Sequence, residues 1–243
     1  MQNIVHTEYD GTDRLFTVAM YGPDDGSPAR RLAVELGADM EEAFLIKSAS
    51  TASDTGFRKI WHPTTHAQYP NLFDAYVDAV HLTDPEQSAI HFTADCPVVV
   101  IYDAILHQLI ATHAGRPAMS PSNEPSGPIS NIITDCWRFL NPMDPNEVNV
   151  IIVGSIAAED FRHNHPEARA LTKPFEQFGD RAFEDHDLGT IDLPWVITEQ
   201  LAMYGVPRRQ IQMIGPFTSK TSSLASYRRD RTKKRNTIIT VLH

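Results

Sequence analysis

Cys96 and His113 are the side chains whose types and spacing most invite chemistry. Cys96 is one of only two cysteines and stands in Thr93-Ala94-Asp95-Cys96-Pro97, directly before the β-branched run Val98-Val99-Val100-Ile101. His113 closes the next apolar run, Gln108–Thr112, and opens His113-Ala114-Gly115-Arg116, with a polar bend (Asp103 to His107) between the runs. Two strands joined so tightly pair antiparallel, which predicts that thiol and imidazole meet at the mouth of a hairpin. One thiolate and two imidazoles suit a borderline cation such as zinc, leaving a fourth position for water or substrate. The competing chemistry is a Cys–His nucleophile pair, in which the imidazole holds the thiol as thiolate and Asp95 or Asp78 orients it. Spacing does not separate the two. A lone cysteine is most often a small buried hydrophobe, and that reading fits Cys136, on the helical stripe Ile129, Ile132, Ile133, Cys136, Trp137 and Leu140.

A metal needs a third protein ligand. His62, closing the segment Phe57–His62, and His66 in the loop beyond it are the upstream candidates, while His81, His91, His107 and His186 have weaker claims. A second concentration of chemistry is Tyr227–Arg235 (Tyr-Arg-Arg-Asp-Arg-Thr-Lys-Lys-Arg), a cationic run inside a chain of formal charge −10. It is either a solvated turn between two strands or a local anion site. The overall acidity argues against a nucleic-acid backbone as main partner, because phosphate chains need a basic surface. With 12 glycines the chain has no Gly-rich phosphate cradle of the P-loop or dinucleotide kind.

The elements that must position these residues follow from periodicity. Arg14–Met20, Glu42–Ser48, Phe57–His62, Tyr76–Leu82, Ala89–Thr93, Pro97–Tyr102, Gln108–Thr112, Val148–Val153, Gln210–Ile214 and Asn236–Leu242 read as strands. Arg30–Leu36, Ile129–Leu140, Glu167–Leu171 and Trp195–Tyr204 read as helices, the first stopped by Gly37 and the last by Gly205. Pro117–Pro128 is a Pro/Ser loop, and the N-terminus, Met1–Asp13, is polar. A hydrophobic content of 42% supports a substantial core, and no linker or internal repeat divides the chain. Residues 1–243 are therefore expected to form a single α/β (α+β) domain of mixed β-sheets flanked by helices. No apolar run approaches the roughly 20 residues a bilayer demands, so no membrane partner is expected. Two cysteines make no disulfide framework, which points to a reducing cytoplasm.

Thr93-Ala94-Asp95-Cys96-Pro97-Val98-Val99, followed by His113-Ala114-Gly115, resembles the signature of the laccase-domain family. That family is also described as multicopper polyphenol oxidases, purine nucleoside phosphorylases and peptidoglycan editing factors. Ser226-Tyr227-Arg228-Arg229-Asp230, with Thr232 and Arg235, is similar to its C-terminal Ser-Tyr-Arg-Arg-Asp-Gly-x-Thr-Gly-Arg motif. Weaker similarities at Tyr21–Gly37, Val77–Thr83, Val153–Ile156 and Asp192–Val206 fall in the same order. The sequence departs from the pattern where Arg116-Pro117 replaces Trp-Arg-Gly and Arg231 replaces Gly. It departs again where Gly154-Ser155-Ile156-Ala157-Ala158-Glu159-Asp160 lacks the family's Cys-Cys pair.

The resemblance implies a layered α/β sandwich with a metal in a cleft. It implies zinc held by His62, Cys96 and His113, since Ile60-Trp61-His62-Pro63 takes the place of the family's Gln-Val-His-Gly. Cys96, His113 and Asp95 would then be the catalytic residues, and Arg228, Arg229 and Arg116 the phosphate-binding ones. The implied activity is a transferase reaction, phosphorolysis of adenosine or inosine, or a hydrolase reaction, adenosine deamination by a metal-activated water. The alternatives are copper-dependent polyphenol oxidation, which a multicopper site with many more imidazoles would serve, and a metal-binding protein without catalysis. The expected partners are a small purine nucleoside and phosphate.

Overall fold

Val98–Asp103 is buried at all six positions, which a strand achieves when both faces of its sheet are covered. The rest of the fold supplies that cover. The computed structural model describes residues 4–11, 13–23, 28–46, 48, 60–61, 77–121 and 129–243. In chain order, β1 (Ile4–Asp10) and β2 (Asp13–Tyr21) lead to α1 (Ala29–Glu35), β3 (Ala43–Ile46), β4 (Ile60–Trp61) and β5 (Ala79–Leu82). Next come β6 (Ser88–Thr93), β7 (Val98–Asp103), β8 (Gln108–His113), α2 (Arg116–Met119), α3 (Ile132–Leu140) and β9 (Val148–Val153). The last part holds α4 (Pro166–Ala170), β10 (Phe183–Asp185), β11 (Thr190–Ile191), α5 (Leu193–Met203), β12 (Ile211–Ile214), α6 (Tyr227–Asp230) and β13 (Asn236–Leu242).

Two mixed sheets carry the structure, in the orders β1-β2-β13-β6-β3 and β12-β9-β7-β8-β5-β4, with β10 and β11 as a small separate pair. Strand alternation sorts the core into layers. Val98, Val100 and Tyr102 face Phe16, Val18, Met20 and Ile238 of the other sheet, filling the space between the sheets. Val99 and Ile101 point the opposite way, onto Ile132, Ile133 and Cys136 of α3 and Val196, Ile197 and Leu201 of α5. On the far side, Leu32 and Ala33 of α1 cover Ile90, Ile239 and Val241. The result is an α/β/β/α sandwich, and each fully buried Val or Ile contributes about 1.5–3 kcal/mol to it. Cys136 lies in the helix-facing layer, as its stripe predicts.

The expected α/β class, the β7–β8 hairpin and most elements are present, and three differences have physical causes. Ile4–Asp10 is an edge strand with no fully buried residue, so its sequence lacks the apolar alternation that marks a strand. The helix expected from Trp195 starts at Leu193, because Asp192 Oδ1 accepts the Trp195 N–H and Pro194 fits the first turn. Tyr227–Asp230 is a short helix and not a plain turn, since Ser226 Oγ accepts the Arg229 N–H and caps it. Of the expected strand Phe57–His62 only Ile60–Trp61 is described, pairing in parallel with Ala79 and Val80. Among the described residues no helix is long and apolar enough to cross a membrane.

Candidate functional site

The chain passes from one sheet to the other between Thr93, the end of β6, and Val98, the start of β7. Cys96 sits on that crossover. Register pairs Val98 with His113, so the last residue of β8 comes back beside it. A Cβ placed on Gly115 would lie 2.7 Å from His113 Cε1, 3.1 Å from Cys96 Sγ and 3.3 Å from His113 Nε2. Thiol and imidazole therefore face a single point, kept open by the missing side chain of Gly115. Ser48 Oγ lies 2.9 Å from His113 Nδ1, and its hydroxyl donates to Asp78 Oδ1 at 3.1 Å.

Burial pushes the Cys96 thiol up to about 11 and the Asp95 charge adds to this, against the Arg116 N–H that it accepts and the charges of Arg228 and Arg116. The thiol thus keeps its proton at neutral pH when no cation is bound, the opposite of what a free nucleophile needs. A bound cation reverses that preference, because a coordinating thiol is deprotonated outright. Burial holds His113 below the ordinary histidine value, partly offset by Asp78, so the ring is neutral as a ligand must be. These two donors fit a thiolate–imidazole metal site. Among the described residues no cluster of three or more His, Cys, Asp or Glu completes one, and His62 and His66 lie outside the described residues.

Asp95 is 3% exposed and adopts φ 83°, the left-handed region that Asp tolerates better than most residues. Oδ1 accepts from Thr218 Oγ1 at 2.7 Å, Oδ2 accepts the Arg228 N–H at 2.7 Å, and its carbonyl accepts the Ile156 N–H. Asp95 thereby ties three segments of the C-terminal half to the crossover. Arg228 arrives on the capped α6, donates to the Arg162 carbonyl at 2.7 Å and to His163 Nε2 at 3.1 Å, and stacks over Phe161. His163 Nδ1–H donates to the Gly189 carbonyl, which leaves Nε2 as the acceptor. Burial and the Arg228 charge bring His163 down to about 4.

Arg116 and Arg228 are both partly buried; burial, then the Arg228 charge, lowers Arg116, while burial, then the Arg231 charge, lowers Arg228. Among the described residues neither forms an ion pair with a carboxylate, and the Arg116 guanidinium makes no hydrogen bond. Two cations in this relation favour an anion between them. Arg229 behaves differently. Its five N–H groups go to Asp230 and to the carbonyls of Thr218, Thr221 and Leu224, so it braces the loop leading into α6. A cleft of about 250 Å³ lined by Asp160, Arg162, Ser219, Arg228 and Arg229 opens beside this group.

Residues 29–242 match the model of the multi-copper polyphenol oxidoreductase laccase family. The chain belongs to that family. Solved structures of similar fold include the hypothetical protein YfiH of Bacillus licheniformis (TM-score 0.69, 17% identity, 98% of this chain and 99% of that one). YlmD of Geobacillus stearothermophilus gives 0.69 at 18% identity, covering 98% and 90%, and the Neisseria meningitidis protein NMB0706 gives 0.65 at 14%, covering 98% of each. At these identities the likeness is one of fold. No curated protein matches by sequence.

Of the residues singled out in the sequence, the structure brings Cys96, His113, Asp95, Arg116 and Arg228 close together. Sequence reasoning missed Ser48, His163 and Thr218, which have no motif and act only through contacts distant in sequence. His91 also emerges with a physical consequence. It is 2% exposed, pairs in register with Ile46 and Ile238, and has no hydrogen-bond partner for either ring nitrogen among the described residues. Burial, then the His113 ring, bring it down to about 3. A histidine that charges only in the unfolded chain leaves stability intact above pH 6.5 and removes it as pH falls toward 3. The slope for this residue is roughly 1.4 kcal/mol per pH unit. His91→Leu should be neutral or stabilising by about 1 kcal/mol at pH 7. Its advantage should widen at pH 5 in urea melts; a loss of stability at both pH values would show that the imidazole has a partner.

Proposed function

We propose that this laccase-family chain is a zinc-dependent enzyme acting on purine nucleosides, with phosphorolysis of adenosine or inosine as its reaction. The observation that carries the reading is the convergence of Cys96 Sγ and His113 Nε2 on one point, with Arg116 bonded to the same sulfur through its backbone N–H. Cys96 and His113 would hold the zinc, with His62 as third ligand on the family pattern. A soft thiolate and an imidazole select zinc over harder cations. When bound, the metal supplies a Lewis acid that polarises a substrate oxygen or nitrogen.

The protein's own groups account for the rest. Arg228, held in place by Phe161, His163 and the Arg162 carbonyl, and Arg116 from the start of α2 bind the phosphate and orient one oxygen toward the ribose. That oxygen bonds to the anomeric carbon as the glycosidic C–N bond breaks. The bond's electron pair leaves with the purine, whose nitrogen takes the proton that the phosphate gives up. Arg229, fully engaged within its own loop, serves as a brace. Adenosine deamination is the hydrolytic alternative for the same site: water adds to C6 of the purine, the exocyclic amine leaves as ammonia with the proton the water gives up, and the glycosidic bond stays intact. Copper-dependent phenol oxidation, which the family's description names, is the second reading.

Incubation of the zinc-loaded protein with inosine or adenosine and phosphate tests these readings, with chromatography of base, ribose phosphate and inosine. Release of base that requires phosphate and is lost in Cys96→Ala is expected. Arg228→Ala and Arg116→Ala should each raise the phosphate KM by about 10–100-fold, the loss of a charge-assisted hydrogen bond. No base release and no deamination at high enzyme concentration would sink the nucleoside reading. Stoichiometric copper in the isolated protein, with phenol turnover, would favour oxidation instead.

A further inference from the structure

We infer that Asp78 and Ser48 form a relay that locks His113 in its Nδ1–H tautomer, so that the Nε2 lone pair faces the point shared with Cys96. This deepens the metal reading above and rests on it. Three segments meet here: Ser48 follows β3 of one sheet, Asp78 precedes β5 of the other, and His113 ends β8. A serine hydroxyl has one proton. A carboxylate only accepts, so that proton goes to Asp78 Oδ1, 3.1 Å away. Ser48 Oγ then has only lone pairs to offer His113 Nδ1 at 2.9 Å, and the ring nitrogen must be the donor. Nε2 is left bare on the side where Cys96 Sγ stands.

The backbone enforces the same arrangement. The Asp78 carbonyl accepts the His113 N–H at 2.8 Å and the Thr112 hydroxyl at 3.1 Å. Asp78 thus fixes the main chain of the β8 terminus while its side chain fixes the proton on the ring. Asp78 is fully buried, so its carboxylate must be hydrogen-bonded, and Ser48 is one of the groups that donate to it. Partners on the far nitrogen of a metal-bound histidine set its tautomer and basicity, and their loss typically costs about 10–100-fold in metal affinity. Ser48 and Asp78 are positioning residues, acting on the metal through His113.

Substitution separates charge from shape. Ser48→Ala removes the relay. Asp78→Asn offers an amide that can donate to Ser48, reversing the hydroxyl and placing the ring proton on Nε2. Ser48→Thr keeps the hydroxyl and should rescue. Two measurements on the full chain decide the matter: imidazole ¹⁵N shifts of the metal-free protein, and Co(II) titration followed by the thiolate charge-transfer band. Wild type and Ser48→Thr should show His113 as Nδ1–H and bind Co(II) with similar affinity. Ser48→Ala and Asp78→Asn should move the proton to Nε2 and weaken Co(II) binding by about 10–100-fold while the band remains. If Asp78→Asn does not fold, the Ser48 pair carries the test alone. An Nε2–H ring in wild type, or Ser48→Ala binding Co(II) as tightly as wild type, would overturn the relay. An Nδ1–H ring in a wild type that binds no Co(II) would uphold the relay and overturn the metal reading it serves.

Discussion

Gly115→Ala is expected to reduce metal affinity by about 100-fold while the protein still folds, at a stability cost of about 0–2.6 kcal/mol. The added Cβ would stand 2.7 Å from His113 Cε1, closer than side-chain carbons come in folded proteins, and 3.1 Å from Cys96 Sγ. One of the two must move. Rotating the imidazole away breaks its 2.9 Å bond to Ser48, and shifting the thiol disturbs the crossover that Asp95 anchors. Either escape takes a donor off the common point. The backbone raises no objection, since Gly115 has φ −69° and ψ 160°, open to any residue. Replacing glycine there even stabilises by about 0.4–1 kcal/mol through the unfolded chain, against about 1–3 kcal/mol for overpacking. Metal affinity and stability should therefore separate. Isothermal titration with zinc and a urea melt on the same preparation read both, and wild-type affinity in the variant would mean that the metal does not sit at this point.

The same glycine shows why part of the site was legible in sequence. A strand buried on both faces, such as β7, writes its nature as an unbroken apolar run, and a short polar bend after it dictates a hairpin. Local pattern alone thus brings Cys96 and His113 to one end of the molecule. What periodicity cannot encode is contact between segments far apart in the chain. Ser48 meets His113 across 65 positions and Asp78 across 30, and neither has a local pattern that names its partner. The cationic run at Tyr227–Arg235 failed to sort itself for a related reason. Arg228 and Arg229 are neighbours in one motif, yet their positions on the helix send one to His163 and the Arg162 carbonyl and the other into a ring of carbonyls. The edge strand β1 was invisible because only partial burial was ever required of it.

Asp95 carries the other large effect, and its variants distinguish an anchor from a catalytic group. Both carboxylate oxygens are engaged at 2.7 Å, one by the Thr218 hydroxyl and one by the Arg228 N–H, with Thr218 wholly buried. Hydrogen bonds to a buried charged acceptor are worth about 1.5–3 kcal/mol each. Asp95→Ala loses both and also holds a Cβ residue at φ 83° without the side-chain compensation that Asp offers, a further cost of about 1 kcal/mol. A destabilisation of about 3–5 kcal/mol is expected, a large share of what a domain has. Asp95→Asn keeps the backbone preference and an acceptor for the Arg228 N–H. Its NH₂ can face Thr218 only if that hydroxyl turns to accept and gives its proton to the more distant Ser155 carbonyl, so a loss smaller than that of Asp95→Ala is expected. Because Arg228 is held through its own backbone N–H, both variants should weaken phosphate binding in step with stability. Equilibrium urea unfolding and phosphate titration test this together. If Asp95→Asn instead keeps wild-type stability and phosphate affinity while turnover falls, Asp95 acts on the reacting atoms and the anchor account is wrong.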